Sequence, residues 1–187
     1  MERRVGTVSR GIRGPIIREG DNLVDIKMYS SDWEYVSGQD TTPEGVPMID
    51  ETIKQEILDL EEVEAVASYR YGYTYDGVSY KGNAIEGASV IGADKDYFSV
   101  MGYIVTKGRL FEDTDYDEAK KSVIVDTTAA QSLFGGEDPI SKSLEINGDV
   151  YVVVGVVDQV ESFKPVIEDL EDWYTYYYDD AAGKIFV

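Results

Sequence analysis

The 187-residue sequence contains no cysteine and no histidine. These two absences exclude a thiol nucleophile, a disulfide, a thiolate or imidazole metal site, and the histidine base of a serine hydrolase. Any catalysis would depend on carboxylate, Lys, Tyr, Ser or Thr side chains. Basic residues are also scarce, because 17 Lys and Arg face 37 Asp and Glu and leave a formal net charge of −20. Since nucleic acids are bound largely by neutralising phosphates, this charge excludes DNA and RNA as partners.

No apolar run in the sequence is long enough to cross a membrane. The longest, VYVVVGVV at residues 150–157, falls far short of the roughly 20 residues that a membrane-spanning helix needs. The opening residues, MERRVGTVSRGIRG, also lack the continuous apolar segment of a signal peptide. We therefore expect the chain itself to be soluble, and any export to depend on a segment outside it.

The N-terminal region is basic, whereas the rest of the chain is acidic. Four apolar residues recur there at helical spacing, which predicts an amphipathic arm. The arm either packs on the domain or continues as a helix from a membrane segment, and both interpretations stay open. The apolar residues are Val5, Val8, Ile12 and Ile16, and the arginines of the region are Arg3, Arg4, Arg10, Arg13 and Arg18.

A strand and a helix are predicted next. Residues 23–28 (LVDIKM) alternate between apolar and polar side chains, which is typical of a strand. Asp50 is a plausible N-cap, because its side chain can accept hydrogen bonds from the free backbone N–H groups of a following helix. Ile53, Ile57 and Leu60 fall on one face of that helix, and we expect this face to cover a sheet.

The segment SYRYGYTY places four tyrosines on one side of a predicted strand, because side chains alternate faces with a period of two. The following Asp76-Gly77 pair predicts a hairpin turn. The tyrosines are interpreted either as packing across strands at a half-buried face or as a binding surface for sugar rings or a partner chain. They are Tyr69, Tyr71, Tyr73 and Tyr75.

Residues 85–157 are predicted to form mainly strands with one short helix. Asp126 or Thr127 can cap that helix, and Gly135 can end it in the left-handed conformation. The Asn147-Gly148 pair between two apolar runs predicts a β-hairpin with a type I′ turn.

Beyond residue 157 the chain becomes acidic and aromatic, which is typical of a surface segment. Clustered Trp and Tyr side chains are enriched at protein interfaces, but they also fasten long loops to a domain. The candidate residues for partner contact are Trp173, Tyr174, Tyr176, Tyr177 and Tyr178.

The acidic residues form no specific catalytic or metal-binding pattern. Asp113, Asp115 and Asp117 match the first ligands of an EF-hand loop, but Glu118 and Ile124 stand where that loop needs Gly and a bidentate Glu. Weak calcium binding at the surface is the remaining alternative. Neither a GxxxxGKS/T phosphate loop nor a GxGxxG fingerprint is present, and carboxylate pairs cannot be singled out among 37 acidic residues. We predict no catalytic, cofactor or metal site.

Two stretches carry a specific series of motifs: VIGADKDYFSVMGYIVTKGRLFEDTD at residues 90–115 and KSVIVDTTAAQSLFGGEDPISKSLEINGDVYVVVGVV at residues 121–157. Through them the chain resembles the extracytoplasmic core domain of MacB-type (FtsX-related) ABC transporter permeases. The family-motif residues are Gly92, Asp94, Tyr97, Phe98, Gly108, Arg109, Phe111, Leu133, Phe134, Gly135, Asp138, Pro139 and Gly155.

The motif residues themselves suggest structural roles. Four glycines are predicted at turns or caps where a side chain would clash, and Arg109, lying among acidic residues, is a candidate ion-pair donor that is at least half-buried. Two positions depart from the family pattern, because Ala93 replaces the usual Val and Ser141 the usual Gly. The four glycines are Gly92, Gly102, Gly108 and Gly135.

The resemblance implies an α+β fold with two lobes. Residues 1–75 would form the N-terminal part of a membrane-proximal α/β lobe with a juxtamembrane arm. Residues 76–158 would form an inserted, mostly β distal lobe, and residues 159–187 an acidic, aromatic return segment. Within that segment, which would lead back towards the proximal lobe, residues 184–187 resemble a strand of the family that usually runs on into a proline.

The resemblance also implies a non-catalytic domain at the extracytoplasmic face of the cell membrane. Such a domain transmits ATP-driven motion to export or extract a peptide, an antibiotic or a lipid-linked substrate, and it needs no cofactor. The implied partners are the permease's own membrane helices outside this chain, a cytoplasmic ABC ATPase domain or subunit, a membrane-fusion-type adaptor, and a second copy in a homodimer. Two alternatives stay open: an ectodomain that activates a cell-wall hydrolase or senses a peptide, and a free-standing carbohydrate-binding module.

Overall fold

A computed structural model describes residues 3–10, 23–28, 49–72, 74, 77–86, 88–160 and 183–187. The described residues form strands and helices of the predicted α+β class. The strands are β1 Arg3–Arg10, β2 Leu23–Met28, β3 Val63–Ala67, β4 Tyr69–Gly72, β5 Val78–Tyr80, β6 Asn83–Ile85, β7 Ser89–Ala93, β8 Tyr103–Gly108, β9 Ser122–Asp126, β10 Ser143–Ile146, β11 Asp149–Gln159 and β12 Lys184–Phe186. The helices are α1 Glu51–Leu58, α2 Tyr97–Val100, α3 Asp113–Asp117 and α4 Thr127–Phe134.

The smaller sheet has three parallel strands in the order β2-β1-β3. Strand β2 confirms the prediction for residues 23–28, but β1 shows that the helical arm was a wrong prediction for residues 3–10. A β-bulge between Gly6 and Val8 interrupts the period of two in β1, so the apolar spacing there did not look like that of a strand. Ile12 and Ile16 lie outside the described residues.

The larger sheet has nine strands in the order β4-β7-β12-β9-β11-β10-β5-β6, with β8 paired to β11. Strand β12 confirms the strand expected near residue 184, and it lies parallel to β7 and antiparallel to β9. The Asp76-Gly77 prediction was wrong in its pairing, because β4 pairs with β7 while β5 pairs with β6 and β10. Asp76 itself, like Tyr73 and Tyr75, lies outside the described residues.

Local signals in the second half of the chain are confirmed. Asp126 caps α4 by accepting a hydrogen bond from the Ala129 N–H at 2.7 Å, and Gly135 ends the helix at a φ of 57°. Asn147 and Gly148 both have positive φ values between the antiparallel strands β10 and β11, as a type I′ turn requires. The short helices α2 and α3 were not predicted, because four or five residues are too few to show helical periodicity.

Helix α1 begins as predicted, since the Asp50 side chain accepts a hydrogen bond from the Ile53 N–H at 3.0 Å. It ends at Leu58, so Leu60 lies beyond it and is exposed. No residue of α1 is buried, although Ile53 and Ile57 are half-buried. The apolar face of α1 therefore covers strand β3 only in part.

Two apolar clusters form the core. The first lies between α4 and the sheet and contains Leu133 and Phe134. The second is aromatic, and Phe98 and Phe186 are fully buried at its centre with Tyr97 and Tyr103 around them. Its ring centroids are about 5 to 6 Å apart, as in the 5.1 Å edge contact between Phe98 and Phe186. This aromatic cluster supports the loop that follows β7.

Ser141 has a φ of 64°, in the left-handed region, at the position where the resembled family has glycine. We expect Ser141→Gly to raise the free energy of unfolding by about 0.5 kcal/mol. The left-handed conformation costs a residue other than glycine about 1–2 kcal/mol, and the greater freedom of glycine in the unfolded chain offsets part of the gain. Urea unfolding followed by circular dichroism measures the difference.

The matched control for this prediction is Ser143→Gly in strand β10, where the same replacement is expected to cost about 0.5–1 kcal/mol. A Ser141→Gly variant no more stable than the wild type would contradict the prediction.

Candidate functional site

Asp94 is hydrogen-bonded to the residue at which the chain passes from the smaller sheet to the larger one. Ser68 lies between β3 and β4, and its N–H donates to Asp94 Oδ2 at 2.7 Å. In return the Asp94 N–H donates to the Ser68 carbonyl at 3.0 Å. Asp94 therefore fixes the end of β7 to the link between the two sheets.

The other carboxylate oxygen of Asp94 accepts hydrogen bonds at the beginning of helix α2. Asp94 Oδ1 accepts hydrogen bonds from the N–H groups of Asp96 at 3.1 Å and Tyr97 at 3.0 Å. These bonds satisfy backbone donors that a helix leaves free at its start. They also hold Tyr97 and Phe98 in the aromatic cluster. The Gly-x-Asp and Tyr-Phe motifs thus form one structural unit.

Lys54 connects α1 to this unit. Its Nζ donates to Asp94 Oδ2 at 2.7 Å and to Asp96 Oδ2 at 2.9 Å, and its side chain is only 12% exposed. Burial alone would lower the pKa of Lys54, but the hydrogen bonds and charges of the two carboxylates outweigh it and raise the pKa above its ordinary value. Lys54, Ser68, Asp94, Asp96 and Tyr97 are called the Asp94 junction below.

Arg109 forms the ion pair that its sequence context predicted. Its guanidinium donates to both carboxylate oxygens of Asp115, at 2.6 and 3.1 Å, and the Ser122 hydroxyl and the Glu112 N–H donate to the same carboxylate. The Asp115 side chain is 3% exposed. The hydrogen bonds from Arg109 are the main cause that holds the pKa of Asp115 far below its usual range. Arg109, Glu112, Asp115 and Ser122 are called the Arg109 clamp.

Tyr116 links the Arg109 clamp to the Asp94 junction. Its hydroxyl donates to the carbonyl of Ala93 at 3.1 Å, one residue before Asp94, and its ring contacts Phe111. Burial raises the pKa of the Tyr116 hydroxyl above its ordinary value, and the charges of Asp94 and Asp115 act in the same direction. A continuous series of contacts therefore runs from α1 through the end of β7 and α3 to β9.

The predicted glycine positions fall into two groups. Gly102, Gly108 and Gly135 have positive φ values, which confirms that they lie at turns or caps. The prediction that Gly92 lies at a turn or cap was wrong, because Gly92 lies inside β7. A Cβ atom there would also not clash, since its nearest neighbour, the Arg70 carbonyl oxygen, would be in ordinary van der Waals contact at 3.7 Å. Gly155 lies in β11, and a Cβ atom there would overlap the Arg109 carbonyl.

The remaining motif residues serve packing and a turn. Phe111 contacts Phe98 with 5.8 Å between ring centroids, and Leu133 and Phe134 are buried in the first core cluster. Asp138 accepts a hydrogen bond from the Ile140 N–H at 3.2 Å, which places buried Pro139 in a turn. The aromatic residues proposed for partner contact, Trp173, Tyr174, Tyr176, Tyr177 and Tyr178, lie outside the described residues.

The structure describes two of the four tyrosines that were predicted to lie on one side of a strand. These two, Tyr69 and Tyr71, do share one side of β4. The rings of Tyr69 and Tyr71 meet edge to face with their centroids 5.4 Å apart, and Tyr71 is exposed while Tyr69 is half-buried. In the described part of the chain, no group of three or more acidic side chains is arranged to hold a metal ion. Asp115, the middle residue of the EF-hand-like run, belongs to the Arg109 clamp.

Sequence reasoning missed Lys54, Ser68 and Tyr116. The Asp94-x-Asp96-Tyr97 spacing is typical of an Asp that caps a short helix, and this signal was available. No local signal indicates the Lys54 pair, because 40 residues separate Lys54 from Asp94.

The chain belongs to the family described as the MacB-like periplasmic core domain, whose profile matches residues 5–176. It is thus an extracytoplasmic domain of a MacB-like ABC transporter permease, a class of transporter domain and not a known class of enzyme. Within the described residues, no helix is long and apolar enough to cross a membrane.

Relatives and a solved structure agree with this assignment. The ABC transporter permease YvrN of Bacillus subtilis is 26% identical over 86% of this chain and 39% of its own length. The macrolide export ATP-binding/permease protein MacB 2 of Aeromonas hydrophila is 28% identical over 50% of this chain, and the match spans 14% of that protein. The extracellular domain of the noncanonic ABC-type transporter YknZ from Gram-positive bacteria shares the fold, with a TM-score of 0.54 and 19% identity over 73% of this chain and 60% of that one.

Proposed function

We propose that this chain is a non-catalytic coupling domain, which transmits ATP-driven motion of a permease's membrane helices to a substrate on the outer side of the membrane. The observation that carries the proposal is the family match over residues 5–176, because it includes nearly all of the chain. The transported substrate would be a peptide, an antibiotic or a lipid-linked molecule. Macrolide export is named for the Aeromonas relative, and it is one instance of this range.

The electrostatics of the site support a mechanical role. A general acid or base works best with a pKa near the operating pH. Here the pKa of Asp115 is shifted further below neutrality and that of Lys54 further above it. Both pKa shifts result from hydrogen-bonded ion pairs, and they make the two groups less suited to proton transfer at neutral pH.

The contacts that run from the link between the two sheets to β9 provide a route for motion. The Asp94 junction joins the two sheets, and Tyr116 joins this junction to the Arg109 clamp. A continuous series of packed and hydrogen-bonded contacts is the physical connection that such coupling requires. We further propose that the domain works in a homodimer with a cytoplasmic ABC ATPase and docks a membrane-fusion-type adaptor.

A spin label on Glu86 tests the coupling role. Glu86 is exposed, and the absence of cysteine from this chain makes Glu86→Cys a unique attachment site in it. In the intact permease, with other cysteines replaced and its ATPase present in nanodiscs, ATP binding is expected to shift the label-to-label distance between the two copies by more than the width of the resting distribution. Double electron–electron resonance measures this distance, and an ATPase variant that binds ATP without hydrolysing it holds the end state.

An unchanged distance, under conditions in which labels on the ATPase show that it has closed, would contradict the coupling role. Recovery of a cell-wall hydrolase and no adaptor in a pull-down would favour the hydrolase-activating alternative. A fluorescence change on adding glycans would favour the carbohydrate-binding alternative, for which exposed Tyr71 is the described candidate surface.

A further inference from the structure

Helix α1 buries little apolar surface against the domain. None of its residues is buried, and Leu58 at its end is exposed. By contrast, the equally long α4 buries Ala129, Leu133 and Phe134 against the sheet. Because burial of apolar side chains is the main force that fixes a helix to a domain, α1 lacks most of what fixes α4.

The ion pairs of Lys54 compensate for the small apolar area that α1 buries. Lys54 lies in the middle of α1, and its Nζ contacts two carboxylates of the loop before α2, Asp94 and Asp96. A surface groove runs between α1, β3 and α2 and is lined by Gln55, Leu58 and Ser99 among other residues. The side chains of α1 and α2 therefore do not close over each other beside the ion pair.

The other members of the Asp94 junction stay together without Lys54. Asp94 also accepts hydrogen bonds from the N–H groups of Ser68, Asp96 and Tyr97, so three bonds remain when the lysine leaves. These bonds keep both sheets and α2 in place. Departure of Lys54 would thus leave α1 held only by the partial packing of Ile53 and Ile57 on β3, while the site to which the lysine was attached stays folded.

We propose that Lys54 is a releasable latch: α1 docks on the Asp94 junction through this one side chain and moves away from it as a unit during the transport cycle. The docking itself is a property of the chain alone, whereas its release during transport rests on the proposed function. Lys54 is a positioning residue, because it sets where α1 lies and contacts no substrate.

Hydrogen exchange on the 187-residue chain tests the docking. Lys54→Met keeps the aliphatic stem but loses both ion pairs, so amide exchange over residues 51–58 is expected to rise about tenfold or more while exchange in β9 and β11 stays unchanged. The matched control is Lys95→Met, which removes a longer, exposed pair with Asp113 at 3.3 Å and is expected to leave α1 unaffected. Lys54→Arg, which keeps the charge, should restore most of the protection.

Unchanged exchange in α1 of Lys54→Met would overturn the latch, as would an equal rise in Lys95→Met. A rise that extends to β9 and β11 would also overturn it, because the lysine would then support the whole fold. None of these outcomes bears on whether the permease couples ATP to motion, which the Glu86 labels report separately.

Cross-linking in the intact permease tests the release. Gln55→Cys and Ser99→Cys place one thiol on α1 and one on α2 across the groove, and a short bismaleimide joins them. In this experiment position 86 carries p-acetylphenylalanine instead of cysteine, and the spin label is attached through its ketone so that it does not compete for thiols. The joined pair is expected to abolish the ATP-driven change in the Glu86 distance, whereas each single cysteine treated with the same reagent leaves it intact. A joined protein that still shows the full change would overturn release of α1 while leaving the coupling role standing.

Discussion

Asp115→Ala is expected to lower the free energy of unfolding by about 3 kcal/mol, because it removes the buried member of an ion pair and leaves the donors that contact its carboxylate without an acceptor. The Arg109 guanidinium, the Ser122 hydroxyl and the Glu112 N–H all lose their acceptor. Urea unfolding followed by far-ultraviolet circular dichroism measures the loss. Asp117→Ala, two residues further along α3 and exposed, is the control and should stay within about 0.5 kcal/mol of wild type.

The pH dependence of this loss has a defined sign. The pKa of Asp115 is lowered by folding, so its contribution is fully present above the pKa of the unfolded carboxyl, about 3.9, and is lost as the pH falls below that value. The gap in stability between wild type and Asp115→Ala should therefore be widest near neutral pH and narrow steadily below about pH 4. A gap that stays constant down to about pH 2 would show that the ion pair contributes nothing specific.

Gly155→Ala is expected to destabilise the chain by about 3 kcal/mol, at the upper end of what overpacking usually costs. Gly155 lies in β11 between β9 and β8, and the added Cβ would overlap the backbone carbonyl of Arg109. Arg109 directly follows β8 and its N–H donates to the Val154 carbonyl at 3.0 Å, so its backbone cannot move aside without disturbing that bond. Thermal and urea unfolding both measure the loss.

Gly92→Ala is the matched control for that prediction. Gly92 also lies inside a strand of the same sheet, but a Cβ there has room, with its nearest neighbour 3.7 Å away. We expect this variant to equal the wild type or to gain up to about 1 kcal/mol, since alanine restricts the unfolded chain. Equal losses in the two variants would mean that the Arg109 carbonyl is not the cause.

Sequence reasoning succeeded where a few neighbouring residues decide the structure. The Asp50 and Asp126 caps, the left-handed Gly135 and the Asn147-Gly148 turn all depend on contacts within four residues, and all are confirmed. The fold class was predicted from the family resemblance. The ion-pair role of Arg109 was predicted from the acidic residues near it in the sequence. Both were available without any knowledge of distant contacts.

The failures have a common physical cause in contacts between distant segments. Strand β1 lies where helical spacing predicted an arm, because hydrogen bonds to β2 and β3 on both sides determine its conformation. Strands β4 and β5 follow each other in sequence, yet each pairs with a different neighbour. Lys54 shows no sign of its partners in the residues around it.

Strand β12 has a consequence for how the sheet is assembled during synthesis. It is the last of the described strands to be made, yet it lies between β7 and β9, with Ile185 and Phe186 fully buried. Until it has been synthesised and has crossed the membrane, β4 and β7 have no described strand connecting them to the other strands of the sheet, and the edges of β7 and β9 stay open. Such non-local pairing slows folding and exposes unfinished chains to aggregation. Assembly of the larger sheet therefore waits until residues 184–186 are available for pairing, and a chaperone that shields open strand edges would act in that interval.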